Sequence, residues 1–346
     1  MTGRERVRAI ISRVPVDRPA FWLGNPHADS WPIYHRYFHT ENEEELRLKI
    51  KDDVRWICPQ FFPGFYRDPL GRAPFGGPRS PLQKDALLAP LADCESLDEV
   101  EAFDWPDPAY LHFDDTIAAL RNTGNFYRLS GMWTSFYHDV MFLFGMENYL
   151  IKMYTDPDVV EAVTRHVCEF YFAANRLFFE RAGDLMDGFF FGNDFGTQQD
   201  LIIGPEQFDR FIMPWFRKFT EQGHHHGYQV ILHSCGAVHK VIDRLIDAGV
   251  DCLHPIQAKA HNMDAAILAR DFGGRIAFMG GIDTQDLLIN ATPEAVKEDV
   301  RRVKKILGPH LIVSPSHEAL LPNIPPQNVE AMIEAAFENE ISENNQ

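Results

Sequence analysis

Short apolar runs separated by longer stretches of helical periodicity run along most of the chain. Residues 20–24, 54–58, 126–131, 186–191, 229–235, 252–256, 276–280 and 310–313 have the length and the β-branched or aromatic content of buried strands. Between them, the start of the chain to Ser12 and residues 41–51, 113–121, 137–154, 157–182, 205–222, 238–248, 263–271, 293–307 and 327–338 repeat apolar positions as one face of a helix does. No two strands are joined by a two-residue hairpin loop. Strands alternating with helices lie parallel, and eight such units in 346 residues predict an α/β fold, a closed (β/α)8 TIM barrel, taken as a single domain over 1–346.

Two segments break the rhythm. Residues 25–38 are rich in aromatics, His and Pro, the composition of a long ordered loop over a site. Residues 61–107 hold Pro63-Gly64, Pro69, Gly71, Gly76-Gly77-Pro78 and Pro81, and read as an irregular insertion that can carry a hairpin.

Composition narrows the function. With 45% hydrophobic residues the chain can bury a large core, and 33 Lys plus Arg against 50 Asp plus Glu give a net charge of -17. Such acidity argues against nucleic acid or an anionic membrane surface as the main partner, while leaving room for a small-molecule substrate. The N-terminal residues lack the apolar core of a secretory signal, and no run approaches the roughly 18 apolar residues of a membrane span. A soluble cytoplasmic protein is expected; its oligomeric state is not readable. Five cysteines, Cys58, Cys94, Cys168, Cys235 and Cys252, are sparse and odd in number, so no disulfide framework is expected.

Barrels of this kind place their chemistry at the C-terminal strand ends. Those positions hold Asn25 and His27 after the first strand, Gly131 and Trp133 after the third, Asn193 and Asp194 after the fourth, and His233 and Cys235 at the fifth. The sixth gives His254 and Gln257, the seventh Gly281 and Asp283, the eighth Ser316, His317 and Glu318. Any single Asn or Asp here also reads as a cap for the next helix or turn. His233 and Cys235, two apart on a strand, share a face, and with His317 they are the imidazole and thiolate donors of a catalytic zinc site with one open position. The other reading stays open: a small buried Cys235 and a satisfied core His233. The run His224-His225-His226 falls between a helix end and a strand start at the opposite rim, and reads as a solvated turn.

Several stretches carry a family resemblance. HSCG, then GVDCLHPIQ, FMGGIDTQDLL with TPEAV, and PSHEALLPNIPPQNVEAM resemble the uroporphyrinogen decarboxylase superfamily, and within it the corrinoid-dependent methyltransferases of the methylcobamide:coenzyme M type. FFFGNDFGTQQDLIIGPEQFDRFIMPWF is similar to the family's fourth-strand region. The resemblance implies a (β/α)8 barrel, a Zn2+ cofactor on His233, Cys235 and a third ligand, and methyl transfer between a corrinoid (cobalamin), free or on a corrinoid protein, and a small thiol or hydroxyl substrate. On this reading Asp194 and Asp283 are catalytic carboxylates. Asn193, Gln198 and Gln257 line the substrate site, and Asn25 and His27 stand where the corrinoid docks.

Two departures bear on this expectation. The decarboxylases carry an arginine-rich stretch after the first strand, whereas this chain has Gly24-Asn25-Pro26-His27-Ala28-Asp29-Ser30-Trp31. The methyltransferases have a late Cys as third ligand where this chain has His317. Two histidines and one thiolate leave Zn2+ near a net charge of about +1, a stronger Lewis acid than one histidine and two thiolates make. A metal-independent decarboxylase, with Asp194 or Asp283 stabilising a cationic intermediate, and a non-catalytic ligand-binding barrel are the alternatives.

Overall fold

The computed structural model of the protein describes residues 1–76 and 89–338. All eight expected strands form: β1 (Ala20–Phe21), β2 (Val54–Trp56), β3 (Tyr127–Ser130), β4 (Gly188–Gly192), β5 (Gln229–His233), β6 (Cys252–Ile256), β7 (Ala277–Ile282) and β8 (Leu311–Pro315). They are parallel, in the order β1-β8-β7-β6-β5-β4-β3-β2, with helices around them: an α/β TIM barrel.

Alternation along the strands sorts the core. Trp22, Val54, Leu129, Phe190, Ile231, Cys252, Met279 and Ile312 fill the barrel, whose lower end is plugged by Val7, Ile10 and Ile11 of the helix Gly3–Ile11. Their strand neighbours, such as Phe191, Val230, Leu232, Leu253 and Val313, pack outward in the core shared with the helices. That alternation turns His233, two beyond Ile231, inward.

β1 and β2 are the ends of the ladder. The Asp53 N–H donates to Phe21 O (2.9 Å), Asp53 Oδ2 accepts the Phe21 N–H (3.2 Å), and Asp52 Oδ2 accepts the Leu23 N–H (3.2 Å). Both carboxylates are buried and paired, Asp53 with Arg6 (2.7 Å) and Arg18 (2.8 Å), Asp52 with Arg47 (2.6 Å). Side chains thus satisfy strand amides that the short β1 cannot pair through backbone alone.

Three expectations are corrected. Residues 25–38 are not a continuous loop, because Trp31–Phe38 is a helix that carries Pro32 in its first turn and buries Tyr34 and Phe38 four apart. The stretch 137–154 breaks at Gly145, φ 78°, into Phe136–Phe144 and Met146–Thr155. The stretch 205–222 carries a π-helical turn, Phe208–Ile212, ahead of Met213–His225, where the missing N–H of Pro214 interrupts regular α-helical bonding. The insertion expected near 61–107 is irregular among its described residues: the short turns Pro59–Phe61 and Pro74–Gly76 precede a capped helix, Leu97–Ala102, and an antiparallel bridge joins Tyr66 to Leu111. Gly77, Pro78 and Pro81 lie outside the described residues. Among the described residues no helix is long and apolar enough to cross a membrane.

Candidate metal centre

β5 delivers His233, 4% exposed, to the barrel mouth, and the chain then turns through Ser234 to Cys235 and Gly236. Gly236 has φ 89°, and a Cβ there would overlap the Gly196 carbonyl, so the loops after β4 and β5 press together only because this residue is glycine. The contact brings Asp194 onto Cys235. Asp194 Oδ1 accepts the Cys235 N–H (2.8 Å) and lies 3.4 Å from His233 Nε2, while Cys235 Sγ lies 3.5 Å from the same nitrogen.

The other ring nitrogen of His233 faces a second group. His233 Nδ1 is 3.1 Å from His254 Nδ1 and 3.5 Å from Glu318 Oε2. His317 flanks the cluster with its ring perpendicular to that of His233, centroids 6.3 Å apart. Its Nδ1 accepts the Ala319 N–H (3.0 Å), and the ring lies close enough to the Cys235 thiol to help lower its pKa.

Electrostatics follow from this packing. Burial works to raise the Asp194 pKa, but His233, the Cys235 N–H and His138 outweigh it and hold the carboxyl well below its usual range. Burial likewise opposes the Cys235 thiolate, and hydrogen bonds from His233 and His317 overcome it, lowering that pKa. His233 is pulled well above an ordinary imidazole: burial favours the neutral ring, yet Glu318, Asp194 and Cys235 together favour the cation. His254 goes the other way, held neutral by burial and by the charges of His233 and His317.

The donor set fits a metal ion. The ligand atoms of Asp194, His233 and Cys235 lie within 4.8 Å of one another, as do those of His233, His254 and Glu318. With Zn–N and Zn–O near 2.0–2.1 Å and Zn–S near 2.3 Å, tetrahedral edges are roughly 3.3 Å for N···O and roughly 3.6 Å for N···S. The observed 3.4 and 3.5 Å match both. Among the described residues, Glu318 Oε2 and His254 Nε2 are buried without a hydrogen-bond partner, a state in which a protein interior rarely leaves polar atoms.

Aromatic side chains form one wall beside this cluster. The Trp133 ring lies 5.2 Å from His233 and 5.1 Å from Trp56, which meets Phe61 at 4.7 Å; Phe61 is 49% exposed. A side chain at position 192 would collide with the Trp133 indole, so Gly192 lets the ring lie across β4.

Of the residues expected as ligands, catalytic groups or substrate contacts, the structure gathers His233, Cys235, His317 and Asp194, and gives the others bracing, capping or rim positions. Asn193 is a buried strut, accepting the Tyr137 N–H and donating to Thr134 O (both 3.0 Å). Gln257 Oε1 accepts the Gly236 N–H (2.6 Å), bracing the turn after Cys235. The Asp283 carboxylate caps the short helix Leu287–Asn290 by accepting the N–H groups of Gln285, Asp286 and Leu287. Asn25 donates its backbone N–H to Glu318 O (2.8 Å), and His27 and Gln198 are exposed on rim loops. His254 and Glu318, which hold the far side of the His233 ring, occupy strand-end positions of β6 and β8; their only signal in the sequence is that register. The His224 to His226 run ends the helix Met213–His225, where His224 Nε2 pairs with Asp251 (2.8 Å).

Comparison with known proteins places the chain. A methyltransferase from Methanosarcina mazei is similar in structure, with a TM-score of 0.63 at 14% identity over 97% of this chain and 98% of that one. A putative vitamin-B12 independent methionine synthase from Listeria monocytogenes gives a TM-score of 0.42 at 10% identity over 92% of this chain and 94% of that one. No curated protein sequence matches the chain significantly. The uroporphyrinogen decarboxylase (URO-D) family model matches residues 87–338, most of the chain, and by that match the protein belongs to the uroporphyrinogen decarboxylase family.

Proposed function

We propose that the protein is a zinc-dependent methyltransferase that moves a methyl group between a corrinoid, free or on a partner protein, and a small thiol or hydroxyl substrate. The observation that carries this reading is the pairing of His233 Nε2 with Cys235 Sγ at 3.5 Å, at the strand ends where barrel chemistry sits, in a member of this family. A zinc ion held by His233 and Cys235 would supply positive charge that lets a bound thiol or hydroxyl react as its anion.

The chain's own residues do the rest. His254 and Glu318 keep a proton on His233 Nδ1, which leaves Nε2 turned toward Cys235. The Asp194 and Gln257 bonds to the Cys235 and Gly236 N–H groups hold the turn that presents the thiolate. Trp133, Trp56 and Phe61, rings inclined to one another, offer an apolar wall to the substrate body, while His27, Gln198 and Asn25 stand on the loops a corrinoid would approach.

Methyl transfer from methylcobalamin to a panel of thiols and alcohols tests the proposal: turnover is expected with at least one acceptor and is abolished by a zinc chelator. Decarboxylation that survives chelation would favour a metal-independent decarboxylase, a reading weakened by the absence of arginine from residues 24–31. Corrinoid binding without transfer to any acceptor would favour a non-catalytic barrel.

A further inference from the structure

Resting on the metal reading above, we infer that the third protein ligand is Asp194, and that His317 is instead a positioning residue that hydrogen bonds to the metal-bound thiolate. The argument is one of lone pairs. A neutral imidazole has one nitrogen that donates and one that accepts, and only the accepting nitrogen can ligate a metal. His317 Nδ1 accepts the Ala319 N–H at 3.0 Å, so its lone pair is occupied there and Nε2 carries the proton. That N–H is what His317 has to offer a neighbouring sulfur.

His233 has the opposite arrangement. Its Nδ1 faces His254 Nδ1 (3.1 Å) with the Glu318 carboxylate 3.5 Å away, so Nδ1 is the nitrogen that keeps its proton and Nε2 the one that would give its proton up to a metal. Nε2 faces Asp194 Oδ1 (3.4 Å) and Cys235 Sγ (3.5 Å), the two spacings that match tetrahedral edges. Asp194 Oδ1 also accepts the Cys235 N–H (2.8 Å), a bond that fixes the carboxylate and still leaves a lone pair for a metal.

The substitution alters the charge balance expected from two histidines. One carboxylate, one thiolate and one neutral imidazole leave Zn2+ near neutrality, the same sum as one histidine and two thiolates. The site then favours an anionic thiolate substrate that keeps its nucleophilicity, and the N–H from His317 to Cys235 tunes the thiolate without adding a ligand.

Cobalt(II) titration of the full-length apoprotein, followed through the thiolate-to-cobalt absorption band and checked by metal analysis, separates the two roles. For His317→Gln the expected result is one metal per chain with a shifted charge-transfer band; for Asp194→Asn it is metal affinity lower by at least about 10-fold, since losing a ligand exceeds the outer-shell effect of about 10–100-fold at its low end. Loss of stoichiometric metal in His317→Gln, whatever Asp194→Asn does, overturns the inference, as does undiminished affinity in Asp194→Asn. If Asp194→Asn does not fold, His317→Gln alone decides. Wild-type protein that binds no metal sinks the metal reading itself, a different outcome from metal bound through the other pair.

Discussion

In the first turn of the helix Phe136–Phe144, Asp139 accepts hydrogen bonds from Ser135 Oγ (3.0 Å) and Tyr171 OH (2.8 Å). Burial outweighs both and pushes its carboxyl up to about 6, from an ordinary 3.8. A folded-state pKa above the unfolded one means that the folded protein holds the proton more tightly. The stability this group contributes is therefore full below about pH 4 and is lost as pH rises through about 6. Urea denaturation should show Asp139→Asn gaining on the wild type with rising pH, by up to about 3 kcal/mol above pH 7; a constant difference from pH 4 to 8 would contradict this account. At the same scale, His233 and Cys235 were legible as a pair by their two-residue spacing at a strand end, although β5 stops at His233 and it is the turn through Ser234 that sets Cys235 Sγ beside the ring. Asp194 carried no mark in the sequence to separate a ligand from a turn cap, since that depends on the loop contact at Gly236. Asp283, of the same residue type at an equivalent strand end, has its carboxylate taken by three backbone N–H groups.

The seam between β1 and β2 shows what elements add. Asp52 is buried with Arg47 at 2.6 Å, and its carboxylate accepts the amides of Leu23 and Val54. Arg47→Ala would strand that charge in the interior at a cost of about 3–5 kcal/mol. The expected outcome is an unfolding free energy in urea lower by that amount, with faster amide exchange at Leu23 and Val54; an unchanged free energy would show that Arg55, 3.8 Å from Asp52, suffices alone. Apolar runs bounded by turns announced all eight strands. The helix Trp31–Phe38 was hidden because its aromatic and His content suggests a loop as much as an amphipathic face. The π-helical turn at Phe208–Ile212 was hidden because hydrophobic spacing reports the period of a helix and not where Pro214 interrupts its bonding.

At the scale of the molecule, alternating strands and helices were enough to reach the barrel, and the barrel in turn orders the strand ends into a site. What alternation could not supply was which strand-end side chains meet, since that depends on loops that fold over the mouth. Glu318 lies on the loop after β8 and His254 in β6, yet both converge on one nitrogen of His233. The central claim is that His233 and Cys235 hold a zinc ion. The most direct test is the metal content of protein purified without an affinity tag, wild type beside Cys235→Ala. About one zinc per wild-type chain and a loss of at least about 10-fold in affinity in the variant are predicted; wild-type protein without stoichiometric metal, or equal metal in both, would contradict the account.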